Sequence, residues 1–145
     1  MVNNRIVSRF TGQLPEGVSS DRKILGEPLY AAHEILELLA SCGSKAIYAW
    51  SRKCNEDIQK WALDADDLLG LVELAVRSGR YIGAEWCVQK PNGPRAACDA
   101  YSVIRREWMT AAHKEMDIAY YIKFAIGKTG NILLLVSCHP SENRR

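Results

Sequence analysis

Four residues near the C-terminal end of this chain have side chains that could work together on a phosphodiester: Tyr121, Lys123, Ser137 and His139. They punctuate two apolar runs, Tyr120–Ile126 and Ile132–Cys138, separated by Gly127-Lys128-Thr129-Gly130-Asn131. The runs are rich in β-branched and aromatic residues, and the linker has glycines where a turn calls for φ > 0. That reads as a β-hairpin. With a five-residue connection, Ile126 pairs with Ile132, Phe124 with Leu134 and Ile122 with Val136, an apolar face for a core. Alternation then puts the phenol, ammonium, hydroxyl and imidazole on the opposite face, and Pro140 stops the strand. A four-residue turn would shift the register by one and set Cys138 beside Tyr121 and Lys123 instead. The five-residue register is the one expected here.

Cleaving RNA without a metal needs a base for the 2′-OH proton, an acid for the leaving 5′-oxygen, and cations to hold the phosphorane charge. Histidine suits proton transfer near neutral pH, so His139 fits one role; Tyr121 can orient or donate, and Lys123 can hold phosphate. Arg95, Arg105 and Arg106 fall in the same sheet as further phosphate contacts, and Trp86 and Tyr101 could stack bases. Each has a plainer alternative. Alternation requires polar residues on a solvent face anyway, and aromatic residues of a small sheet are commonly core. Cys87, Cys98 and Cys138 are candidate nucleophiles or small core residues. Asp64, Asp66 and Asp67 could be pictured around a metal, but they crowd a helix start, where their charge complements the dipole. His33, on an amphipathic helix, reads as a surface residue. No P-loop, dinucleotide-binding glycine pattern, G-x-S-x-G elbow or H-E-x-x-H occurs.

The elements that would position these groups can be read along the chain. Residues 1–28 form an irregular arm with one short strand around Arg5–Phe10. Leu29–Cys42 has helical spacing and ends at Gly43. Ala46–Trp50 is ambiguous. Asn55 can cap a short helix, Glu56–Leu63, with Ile58 and either Trp61 or Ala62 inward. The acids before LLGLVELAVRSG start a third helix over 65–78, and Arg77 with Gly79 closes it. Arg80–Val88 reads as a strand, Gln89–Pro94 as a turn, and Arg95–Arg106 as a returning strand. Trp108–Asp117 is a loop or the end of that strand. Helices first and then about four antiparallel strands make an α+β layout. The domain spans 29–141, followed by a basic tail, 142–145.

The 145 residues suit a single domain, with 48% hydrophobic and 25% charged residues as in ordinary globular proteins. No apolar run approaches the roughly 20 residues of a membrane helix. No secretory h-region opens the chain, and the five scattered cysteines lack C-x-x-C spacing. The expectation is a cytoplasmic protein with neither disulfide framework nor zinc site, and no cofactor. Net charge is only +2, yet residues 24–76 hold four Lys/Arg against nine Asp/Glu, and residues 77–145 hold eleven against six. A polyanion binder is one account of that split; fortuitous segregation of surface charge is the other.

From His33 onward the chain resembles the MqsR family, bacterial mRNA-interferase toxins of RelE-like fold. The resemblance rests on Gly43 after a first helix, Arg52 before a second, and Leu63-Asp64-Ala65-Asp66 entering a third. It continues through Tyr81, Asp99-Ala100-Tyr101, Tyr121-Ile122-Lys123-Phe124 and Leu134-Leu135-Val136-Ser137-Cys138-His139. It implies a toxin-like, metal-independent endoribonuclease that cuts mRNA and pairs with an antitoxin protein. The family's catalytic tyrosine falls on Tyr121, and a lysine near its C-terminus falls on His139. Cys98 and Ile82 stand where the family has a glutamine and a lysine. These departures keep open a non-catalytic RelE-like module that binds RNA or protein, and a small accessory protein docking an acidic partner.

Overall fold

The computed structural model of the protein describes residues 5–12 and 22–141; the remainder of the N-terminal arm and the tail 142–145 lie outside the described residues. The fold is α+β, with three α-helices and a six-stranded sheet among the described residues, in the order β1-β3-β4-β5-β6-β2. The strands are β1 (Lys23–Ile24), β2 (Ile47–Ala49), β3 (Arg80–Val88), β4 (Arg95–Met109), β5 (Lys114–Ile126) and β6 (Leu133–Pro140). Six strands replace the four expected because both edge strands are too short to leave a periodic signal. One of them also changes the sheet's character: β2 runs parallel to β6, so the sheet is mixed rather than antiparallel throughout.

Helix α1 (Ala32–Cys42) buries Ile35 and Leu39, one turn apart, and ends at Gly43, whose φ of +62° favours glycine. It starts later than the spacing suggested because Leu29 and Tyr30 donate their backbone N–H groups to the Asp99 carboxylate at 3.0 and 3.1 Å. Helix α2 (Arg52–Lys60) is capped by Ser51, not Asn55. Its buried residues are Cys54 and Asp57, while Trp61 and Ala62 are both exposed, contrary to the expectation that one of them turns inward. Helix α3 (Ala65–Ser78) opens on a capping box: Asp64 accepts from the Asp67 N–H, and Asp67 from the Asp64 N–H. The three aspartates therefore serve the helix start. The helices bury Ile35, Leu39, Leu71 and Val72 in one core with Tyr101, Ile122, Phe124 and Cys138 of the sheet.

The N-terminal arm enters the sheet as a wedge. Ile6 bridges Arg95 and Ser8 bridges Gly127, so the chain slots between the start of β4 and the end of β5. Ser8 is fully buried, accepting from the Ala97 N–H and donating to the Phe10 carbonyl.

The β5–β6 hairpin departs from the expected register at its turn. Gly127 pairs with Ile132 and Ile126 with Leu133, which is the four-residue turn. Gly130 takes φ +81° there, and a Cβ on Gly127 would lie 2.6 Å from Ile132 Cγ2. A bulge then skips Val136: Phe124 opposes Leu135, but Lys123 opposes Ser137 and Tyr121 opposes His139. The extra residue restores the expected faces, with Cys138 opposite Ile122. The Val136 carbonyl, freed from the ladder, accepts from the Ser51 hydroxyl at 2.7 Å, and the same oxygen of Ser51 accepts from the Cys54 N–H at 3.0 Å. Ser51→Ala removes a cap and leaves a buried carbonyl unpaired. It should lower stability by about 1–3 kcal/mol in urea titrations, whereas Ser41→Ala on exposed helix surface should change it little.

Candidate functional site

Beside the distal half of the β5–β6 hairpin the chain forms a groove. The groove, about 570 Å³, lies between β5–β6 on one side and the end of β3 with the start of α2 on the other. The Gln89–Pro94 turn reaches across to the β2–α2 junction, where the Gln89 carbonyl accepts from the Arg52 N–H at 3.1 Å and Gln89 Nε2 donates to the Trp50 carbonyl at 3.2 Å. Tyr121, Lys123, Ser137 and His139 all line this groove. The rings of Tyr121 and His139 face each other with centroids 5.6 Å apart. His139 Nδ1 lies 3.0 Å from the Pro140 carbonyl. A carbonyl can only accept, so this bond requires a proton on Nδ1 and leaves Nε2 of a neutral ring as the basic nitrogen.

The floor is electrostatically structured. Lys123 Nζ donates to Glu85 Oε2 at 2.6 Å and sits 5.7 Å from the Tyr121 ring centroid. Burial alone would lower the Lys123 pKa; the neighbouring Cys87 and Glu85 outweigh it, and the net shift is upward, so the ammonium persists. Burial raises the Tyr121 pKa, with Lys123 opposing, so the phenol keeps its proton. The Cys87 thiol is lowered, first by its hydrogen bond from Cys98 and then by Lys123 against the opposing effect of burial, while burial drives Cys98 well up. Five cations line the groove, Arg22, Arg52, Lys53, Lys90 and Lys123, against one lining carboxylate, Glu56. Lys53 pairs with Asp57 at 3.3 Å, but Arg52 and Lys90 make no ion pair among the described residues.

The other residues read from the sequence as RNA contacts are placed elsewhere. Trp86, 3% exposed, packs against Phe10, and Tyr101 stacks on Phe124 with centroids 5.7 Å apart. Both are core residues with no free ring face for a base. Arg105 is held by Asp67 at 3.1 Å and Glu107 at 2.9 Å, and Arg106 by Glu115 and Asp117. Neither guanidinium lines the groove. Arg95 has a buried Nε without a hydrogen-bond partner among the described residues and lies where the arm enters the sheet. Cys98 and Cys138 are fully buried, Ile82 is exposed, and His33 is exposed on α1. Spacing pointed to none of Arg22, Lys53, Lys90 and Glu85. Arg52 was marked only by resemblance. Among the described residues, no group of three or more His, Cys, Asp and Glu is gathered as a metal site would require, and no helix is long and apolar enough to cross a membrane.

Comparison of the chain with family models, with curated proteins and with solved structures yields no match.

The Lys123–Glu85 pair gives a stability prediction. Glu85→Gln should cost about 1.5–3 kcal/mol, the usual value of a hydrogen bond to a charged group. The folded pKa of Lys123 is raised, so its contribution is complete below the ordinary lysine value of about 10.4 and fades as pH rises through the folded pKa. Urea midpoints of wild type and Glu85→Gln should therefore keep a constant gap from neutral pH to about 10 and converge only above it.

Proposed function

We propose that the protein is a toxin-like endoribonuclease of RelE-like type that cuts single-stranded RNA within this groove without a metal ion. The observation that carries the reading is the facing pair of Tyr121 and His139 beside Lys123 in a groove lined by Arg52 and Lys90. The chemistry balances with these groups alone. His139 Nε2 takes the proton of the 2′-hydroxyl, and the 2′-oxygen attacks the adjacent phosphorus. The bond from phosphorus to the 5′-oxygen breaks as the Tyr121 phenol or the newly formed imidazolium returns a proton to that oxygen. The products are a 2′,3′-cyclic phosphate and a 5′-hydroxyl end. Lys123, whose ammonium survives burial, stabilises charge developing on the phosphorane oxygens. The MqsR resemblance agrees in placing Tyr121 and His139 at functional positions, and it implies an antitoxin protein.

A second reading is favoured by one observation: the 2.6 Å bond to Glu85 already engages Lys123, as suits a groove that binds RNA without cleaving it. Cleavage of a long mixed-sequence RNA in the presence of chelator separates the two. Wild type should cleave. His139→Ala should be slower by roughly 10²–10⁴ with folding little changed. Tyr121→Phe should also slow the reaction, and the double variant should be far less than additively worse if both serve one step. Equal rates for wild type and His139→Ala would remove His139 from the mechanism, and no cleavage by pure wild type would leave the binding module.

Binding itself should be strongly salt-dependent. Arg52→Ala and Lys90→Ala should each reduce the slope of log K against log salt by about 0.7, the value for one phosphate contact on a single strand. Arg106→Ala, already neutralised by its two acids, should leave that slope nearly unchanged.

A further inference from the structure

Next to the groove lies a second recess of about 270 Å³, which shares Arg52, Gln89 and Lys90 with it and is completed by Tyr48, Trp50 and Asn55. Tyr48 stands on the edge strand β2 and is 52% exposed. Tyrosine often buries its ring and keeps only its hydroxyl wet, but here much of the ring is open.

Two carboxamides give the recess its hydrogen-bonding character. Asn55 Nδ2 donates to the carbonyls of Ala49 and Ser51 at 2.8 and 3.0 Å, and Gln89 Nε2 donates to the carbonyl of Trp50 at 3.2 Å. Carbonyl oxygens only accept, so these contacts settle which end of each amide is nitrogen. Asn55 Oδ1 and Gln89 Oε1 accept no hydrogen bond among the described residues. The recess is thus lined by an aromatic residue, two carboxamides whose oxygens take no hydrogen bond among the described residues, and two cations, and no carboxylate lines it.

We infer that this recess is a nucleobase subsite, in which a base of the bound RNA stacks on Tyr48, and that it favours guanine. The inference rests on the RNA reading of the groove. Stacking alone is tolerant, because every base has a π-face. The acceptors supply the preference. Guanine presents two neighbouring donors on its Watson–Crick edge, the N1–H and the exocyclic amino group. Adenine and cytosine present one donor group beside an acceptor, and uracil presents a single N–H between two acceptors. Arg52 and Lys90 stand where the recess opens into the groove and would hold the phosphates joining this base to the strand at Tyr121 and His139.

The test uses the wild-type chain and short single-stranded RNAs made uncleavable by 2′-O-methylation, with binding read by fluorescence anisotropy. One RNA contains a single guanosine, a second has inosine in its place, which deletes only the exocyclic amino group, and a third has uridine. Wild type should bind the guanosine strand several-fold more tightly than either of the others. Tyr48→Ala should weaken binding of all three by about tenfold, as expected for one lost stacking contact, while Tyr48→Phe keeps the affinity. Asn55→Ala with Gln89→Ala should abolish the difference between guanosine and inosine. Salt-dependent binding that is equal for guanosine and inosine, or unaffected by Tyr48→Ala, would overturn the subsite and leave the groove reading intact. No binding of any RNA by wild type would overturn both. Should Tyr48→Ala fail to fold, the comparison of guanosine with inosine on wild type still decides.

Discussion

The open face of this sheet depends on one skipped residue. From the turn up to Phe124, β5 and β6 pair in a register that, continued, would set Val136 and Cys138 opposite Lys123 and Tyr121 and turn Ser137 and His139 toward the helices. The bulge at Val136 reverses that assignment for the distal half of the hairpin. A bulge frees a backbone carbonyl, and a buried free carbonyl costs as much as a lost hydrogen bond. Ser51 supplies the missing partner, and the same hydroxyl caps α2, so the device that aims His139 also fixes the helix that brings Arg52 and Lys53 to the groove. Backbone supports this junction too: the Trp50 N–H donates to the Leu135 carbonyl at 2.9 Å. Site geometry and helix placement are therefore one structural event.

Electrostatics on this fold follow contacts rather than the run of charge along the chain. The basic C-terminal half looked like a phosphate-binding surface, but Arg105 and Arg106, its most conspicuous pair, are neutralised by Asp67, Glu107, Glu115 and Asp117. Arg105 moreover joins β4 to the capping box of α3, where the Asp67 carboxyl is held below its usual range by its bond to Asp64 and by Arg105. That guanidinium belongs to the scaffold. The groove draws Arg52 and Lys53 from the acidic half and Lys90 and Lys123 from the basic half. Charge segregation in sequence and the cationic groove are thus separate facts, and only the second depends on the fold.

The sequence was most legible where one local rule decides. Helix α3 follows the expected span because its acids, its spacing and Gly79 agree, and β3 and β4 follow from turn residues at Gln89–Pro94. That Tyr121 and His139 share one face was legible too, although the pairing was not: the shorter turn and the bulge each shift the register by one residue in the same direction, which restores the face and sets His139 rather than Ser137 opposite Tyr121. What spacing could not show is whatever tertiary contact decides. Nothing in the spacing around Asp99 shows that it is buried and anchors the entry to α1 through two N–H groups and the Tyr81 hydroxyl. Burial raises its pKa while those donors oppose the rise. Trp86 and Tyr101 have the composition of a stacking platform, and only the packing of Phe10, Tyr81 and Phe124 against them shows otherwise. Strand β2 carries too few residues for any periodicity, and a parallel partner distant in sequence leaves no local signal.

The groove floor also shows how a charged side chain keeps its proton despite burial. Desolvation alone would lower the pKa of Lys123. Cys87 and Glu85, the latter reaching across β4 from strand β3, reverse that direction. The arrangement keeps the ammonium protonated, while Glu85 at 2.6 Å offsets part of its field on any other group in the groove. The same field favours the ionised form of Tyr121, while burial favours the neutral form, and burial prevails. The floor therefore presents a fixed cation next to a phenol that still holds its proton, with an imidazole opposite whose free nitrogen is set by the Pro140 carbonyl. A proton acceptor, a proton donor and a fixed ammonium thus meet in one groove, the groups on which the proposed cleavage relies.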